Sequence, residues 1–209
     1  MKISVSLMSS ALLLAMTSSA FAASSVDLTV KGLITPSACS PSLSGGGVVD
    51  HGKVAAKDLR PDRWTILDTH TLQLAITCEA PTLLALRGID NQGNAFDTNN
   101  AYGLAMVEGK KLGQYLLLIN NAIADGAATS VLASRNNGLT WSELYSDDIW
   151  PVSYLASFGD SSTGSWAPIS VRQVTADLSI YTEIAPTAGM NLTSEVPITG
   201  SATVEVKYL

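Results

Sequence analysis

The chain has 209 residues, 46% of them hydrophobic and only 14% charged, with 12 basic side chains against 18 acidic ones. A net charge of -6 leaves no electrostatic footprint for phosphate backbones or anionic lipid, which argues against nucleic-acid and membrane-surface roles. Two cysteines, two isolated histidines (His51 and His70) and the lack of a Cys-x-x-Cys pair give no support to a structural zinc site.

The first residues read as an export signal. Lys2 supplies a positive start, residues 7–16 (LMSSALLLAM) form a short apolar run, and Ala20, Phe21 and Ala22 offer the small-residue spacing that a signal peptidase reads, with cleavage after Ala22. A membrane anchor is the rival reading. The run is shorter than the ~20 residues needed to span a bilayer and is interrupted by Ser9, Ser10 and Thr17. Removing residues 1–22 leaves 187 of 209 as a single expected domain, 23–209, and losing Lys2 brings the net charge from -6 to -7. No second long apolar segment follows, so a soluble mature part without membrane insertion is expected.

Cys39 and Cys78 then sit in a chain bound for an oxidising space, where pairing is the simple expectation. Such a bridge closes a loop of about 40 residues and stabilises the fold by roughly 4 kcal/mol in the chain-entropy model. The alternative is two buried free thiols.

Residues 25–31 (SVDLTVK) alternate Val26, Leu28 and Val30 with Asp27, Thr29 and Lys31, the pattern of a half-buried strand. Pro41 to Gly47 (PSLSGGG) reads as a turn, and residues 48–52 (VVDHG) as a short strand after it. Residues 69–79 (THTLQLAITCE) place Leu72, Leu74, Ile76 and Cys78 on one face. Pro81 ends that run, and residues 82–88 begin another strand. Residues 90–100 (DNQGNAFDTNN) are rich in turn formers.

Residues 102–119 read as a hairpin turning at 108–113. Residues 130–134 and 139–143 read as a second, around Asn137-Gly138, a pair suited to the positive φ of a type I′ turn. Residues 144–168 read as a long loop, part of an aromatic-rich insertion around 120–168. Residues 169–184 return to a strand pattern, 185–189 turn, and 200–209 form a last alternating strand. Strands throughout, with no convincing amphipathic helix, mean an all-β sandwich or barrel.

Three stretches carry a resemblance. Residues 26–32 (VDLTVKG), with Ala38-Cys39-Ser40-Pro41, residues 44–50 (SGGGVVD) and Gly52-Lys53, make the first; residues 72–82 (LQLAITCEAPT) the second; residues 202–209 (ATVEVKYL) the third. Together they resemble the GltF-like family of exported fimbrial-like proteins, and the last is also similar to chaperone-usher pilins. Residues 120–190 match only loosely. The resemblance implies an immunoglobulin-like, pilin-like β-sandwich lacking its final strand, located in the periplasm or in a fimbrium at the cell surface. It implies a periplasmic chaperone and other fimbrial subunits as partners, acting by strand addition at an exposed edge. Val204, Val206, Tyr208 and the terminal Leu209 are the edge it points to, and penultimate Tyr208 fits the pilin pattern. One departure is that only Ala23, Ser24 and Ser25 precede Val26, which leaves no donor arm if Val26 to Val30 is the first strand of the sandwich. Another is that Gly200 is the glycine nearest to the C-terminus, where pilins often place one further upstream.

Catalysis has little support, and no enzyme activity or cofactor is expected. There is no Gly-x-Ser-x-Gly elbow, no His-Glu-x-x-His and no phosphate-cradling glycine loop before a helix. Gly159-Asp160-Ser161-Ser162 resembles one esterase motif, but no histidine follows to act as its base. Asp90, Asn94, Asp97 and Asn99 offer oxygen ligands for calcium, yet Gly93 is misplaced for an EF-hand and a solvated loop is the better reading; no metal site is expected. Half of the mature chain's aromatics, Trp141, Tyr145, Trp150, Tyr154, Phe158 and Trp166, fall close together. They read first as a small core that pins a loop. The alternative function is a glycan-binding adhesive module in which Trp141, Trp150 and Trp166 contact the sugar or partner.

Overall fold

The computed structural model describes Thr29, Val30 and residues 38–209. The principal strands are β1 (Cys39–Leu43), β2 (His70–Thr82), β3 (Leu84–Asp90), β4 (Gly113–Ala124), β5 (Ser130–Ser134), β6 (Leu155–Asp160), β7 (Val171–Ile184) and β8 (Ala202–Tyr208). Short 3-10 turns at Ser44–Gly47 and Ala56–Asp58 are the helical elements among the described residues.

Two antiparallel sheets form a β-sandwich. The first is ordered β1-β2-β7-β4 and ends on the short strand Tyr102–Gly103; the second runs Ser142–Glu143, β5, β6, β3, β8. The alternation read in β2 holds: Leu74, Ile76 and Cys78 are buried, with Leu72 half-buried beside them. In β7, Val174, Ala176, Leu178, Ile180, Thr182 and Ile184 point the same way. They meet Leu84 and Leu86 of β3, Val131 of β5 and Phe158 of β6 in one core. Each fully buried Leu or Ile contributes roughly 1.5–3 kcal/mol by leaving water.

In β4 the inward register passes from Ile119 to Ala122 across a bulge. Asn121 takes φ 50° there, and its amide donates to Asp177 Oδ2 at 2.7 Å. The extra residue is what keeps Ala122 and Ala124 facing the core.

The two cysteines form the expected disulfide. They are direct cross-strand partners of β1 and β2, with Cα atoms 4.0 Å apart. Asn137 and Gly138 have φ of 61° and 96°, as an Asn-Gly turn requires, although the returning strand is only Ser142–Glu143.

Other expectations are corrected. The strand predicted over 25–31 falls largely outside the described residues, while Thr29 and Val30 carry no strand and are exposed. The turn read at Pro41 begins later, at Ser44. Cys39–Leu43 is itself an edge strand, a place that tolerates proline because its outward side needs no donor. Residues 48–52 form no strand. Pro81 does not end β2, which continues to Thr82 through an interruption in its pairing with β7 between Thr77 and Thr82.

The hairpin at 102–119 turns more tightly than predicted. Glu108 and Gly109 sit at its tip with φ of 47° and 81°, and Met106–Val107 pairs with Lys110–Lys111. The loop read over 144–168 contains β6, a central strand of the second sheet, so the span 120–168 is not an insertion outside the sandwich. In β6 both faces are covered from Leu155 to Gly159, and this removes the alternation that would announce a strand.

Candidate functional site

The two sheets leave one side open. β1 is the edge of the first sheet and β8 the edge of the second, and the two run past each other on the same flank of the core. β8 pairs through one side only, with β3, in register from Ala202 opposite Asp90 to Tyr208 opposite Leu84. Among the described strands none pairs with its other side. An exposed edge of this kind is a template for another strand.

Between the edges lies a cleft of about 260 Å³. Leu72, Leu117, Leu178 and Ile180 of the first sheet, Leu43 of β1 and Val204 of β8 give it apolar walls. His51, Thr182 and Ser201 bring polar groups to it. At one end the edges are clasped, where the N–H of Cys39 donates to Tyr208 Oη at 3.0 Å. The irregular segments before β2 and before β8 flank the cleft, and the exposed pair Lys53 and Glu195 joins them at 3.4 Å.

The predicted edge residues divide between the faces of β8. Val204 and Val206 pack against the core, and Tyr208 reaches Cys39. Leu209 is placed elsewhere: its N–H donates to Leu83 O at 3.1 Å and its side chain lies beside Gly138. Lys207 Nζ donates to Asn137 Oδ1 at 2.6 Å. The outward face of β8 is therefore tied to the Asn137-Gly138 turn.

The aromatic segment also divides. Trp150 is 0% exposed; its backbone N–H bonds Leu117 O at 2.6 Å and its indole N–H bonds Tyr154 O at 3.1 Å. A ring so enclosed has no face to offer, so Trp150 is withdrawn as a contact for a glycan or partner. Trp141 and Trp166 are half-buried, with Trp141 against Gly138. Tyr154 carries the Arg135 guanidinium over its ring at 5.3 Å.

In the loop at 90–100, the carboxylates serve the local backbone. Asp90 accepts the N–H groups of Gln92 and Gly103, and Asp97 those of Asn99 and Asn100. The side-chain amide of Asn100 is the main cause holding the Asp97 carboxyl below its ordinary range. No group of three or more His, Cys, Asp or Glu side chains suited to a metal occurs among the described residues. No helix there is long and apolar enough to cross a membrane.

Two clusters carry no sequence signal because their members are far apart in the chain. His51 lies edge-on to His70, with ring centroids 4.8 Å apart, and its Nε2 is 2.9 Å from Thr182 Oγ1. Trp64 meets Phe96 edge-on at 4.9 Å, and the Lys111 ammonium stands 5.3 Å from the Phe96 ring.

Known proteins match the chain over much of this framework. Residues 28–116 match the family described as Protein of unknown function (DUF1120), a span that holds both cysteines and β1, β2 and β3. Protein GltF of Escherichia coli (strain K12) is 27% identical over 91% of this chain and 92% of its own length. Uncharacterized protein YhcF of the same organism is 25% identical over 91% of this chain and 93% of its own. The chain is thus similar to that family through the segment that builds the disulfide and one wall of the cleft.

Proposed function

We propose that this chain is a fimbrial-type structural subunit or a fimbrial-like periplasmic protein, exported by residues 1–22, that acts by accepting a strand from a protein partner. The observation that carries the reading is the apolar cleft between two strand edges, β1 and β8, on one flank of the sandwich. An incoming strand would find main-chain donors and acceptors along β8 and apolar walls for its alternate side chains. The partners are a periplasmic chaperone and other fimbrial subunits. A glycan-binding role retains only Trp141 and Trp166, both half-buried, and is the weaker reading.

The test uses the mature protein and a labelled peptide copying residues 24–32, in which Val26, Leu28 and Val30 alternate. Fluorescence anisotropy should detect saturable binding. Leu43→Asp and Val204→Asp, on opposite walls, should each abolish it, whereas Glu205→Ala on the outward face should not. A folded protein that binds neither this nor any other alternating apolar peptide would overturn the reading.

A further inference from the structure

Residues 48–52 line the cleft through Val49 and His51 without belonging to either sheet. The N–H of Val48 bonds Gly45 O at 3.4 Å and that of Gly52 bonds Asp50 Oδ1 at 2.8 Å, both within the local chain. The ties to the sandwich come from side chains. Val49 packs on the core, and His51 bridges two strands, with Thr182 Oγ1 of β7 at 2.9 Å and the ring of His70 in β2 at 4.8 Å.

The charges around His51 oppose one another. Burial disfavours its imidazolium most, then His70; Asp68, just before β2, and the adjacent Asp50 favour it. The net effect holds the pKa below 6.5. Tyr115, the other titratable group lining the cleft, stays protonated because burial raises its pKa. Lys53 and Glu195, farther along, are solvent-exposed.

We propose that the His51–His70 pair makes this part of the cleft lining acid-labile, so that protonation detaches residues 48–52 from β7 and opens the cleft. Burial and the His70 ring in edge contact both disfavour a positive charge on His51, and both penalties are relieved when residues 48–52 move away from the sandwich. Since the closed cleft holds the pKa of His51 below its value in water, protons bind the open form more tightly. Opening is therefore unaffected well above pH 6.5 and grows as the pH falls through 6.5 toward the lowered value. This goes beyond the strand-accepting reading, because it is a property of the isolated chain.

The experiment follows the imidazole resonances by NMR from pH 8 to 4.5, together with uptake of the neutral apolar dye Nile red by the mature protein. Dye fluorescence should rise several-fold on acidification, with the midpoint of the His51 titration, as the nuclear Overhauser contact between His51 and Thr182 disappears. His51→Gln, which can still bond Thr182, and His70→Gln should both suppress the rise, with unchanged circular dichroism. A rise that persists in both folded variants, or a His51–Thr182 contact that survives at pH 5, would overturn the proposal. Absence of peptide binding at either pH, with the dye response intact, would sink the strand-accepting reading and leave this one standing.

Discussion

Tyr102 has a hydroxyl that is sealed in the core and, among the described residues, lacks a hydrogen-bond partner. It points at Gly88 of β3, where even a methyl group would collide with it. A buried polar group left unpaired costs about 1–3 kcal/mol, so Tyr102→Phe should stabilise the protein by about 1 kcal/mol, enough to raise the melting temperature by about 2–4 °C in calorimetry. Gly88→Ala should do the reverse. Trp150 shows the opposite economy, its indole N–H satisfied by Tyr154 O. Trp150→Ala removes a fully buried ring and should cost about 3–5 kcal/mol in urea unfolding. Neither role was legible in the sequence. Trp150 stands in a stretch that reads as loop, and the glycine that makes room for Tyr102 lies on another strand.

At the scale of the element, alternation revealed what had one wet face. β2 and β8 were legible for that reason, each with apolar side chains at every second position. β6 was missed because both of its faces are covered, and β1 because Pro41 and two serines disguise a strand. β1 buries little of its own, since Ser40, Pro41 and Ser42 are exposed. Its hold on β2 therefore depends on the Cys39–Cys78 bridge, which spans 39 residues. Replacing both cysteines by alanine should cost about 4 kcal/mol by the loop-entropy argument. Because the bridge anchors an edge, the first amides to lose hydrogen-exchange protection should be those of β1, before those of β7. Uniform loss across both strands would show instead that β1 is held by its main-chain pairing.

For the whole molecule, the first and last of the described strands, β1 and β8, are tied together. Cys39 and Tyr208 are 169 residues apart, yet the N–H of one bonds the hydroxyl of the other. The disulfide-stapled sandwich was legible from local patterns, but the cleft was not, because its walls come from β1, β2, β4, β7 and β8. The second sheet cannot be completed until the last residues of the chain are present: β8 pairs with β3 over Ala202–Tyr208. Without it, the edge of β3 would be bare beside Leu84 and Leu86, which are buried in the intact protein. A bare apolar edge is a template for aggregation, and such long-range pairing makes folding slow. A chain truncated after Thr199 should therefore scatter light on dilution from urea where the full chain gives a clear monomer. Adding a peptide of residues 200–209 during dilution should restore a soluble fold, measured by circular dichroism and the urea midpoint, whereas the same peptide with Val204 and Val206 changed to Asp should not. If the truncated chain refolds alone with an unchanged midpoint, β8 is dispensable to the sandwich. The pairing with β3 would then be too weak to present an edge to any partner.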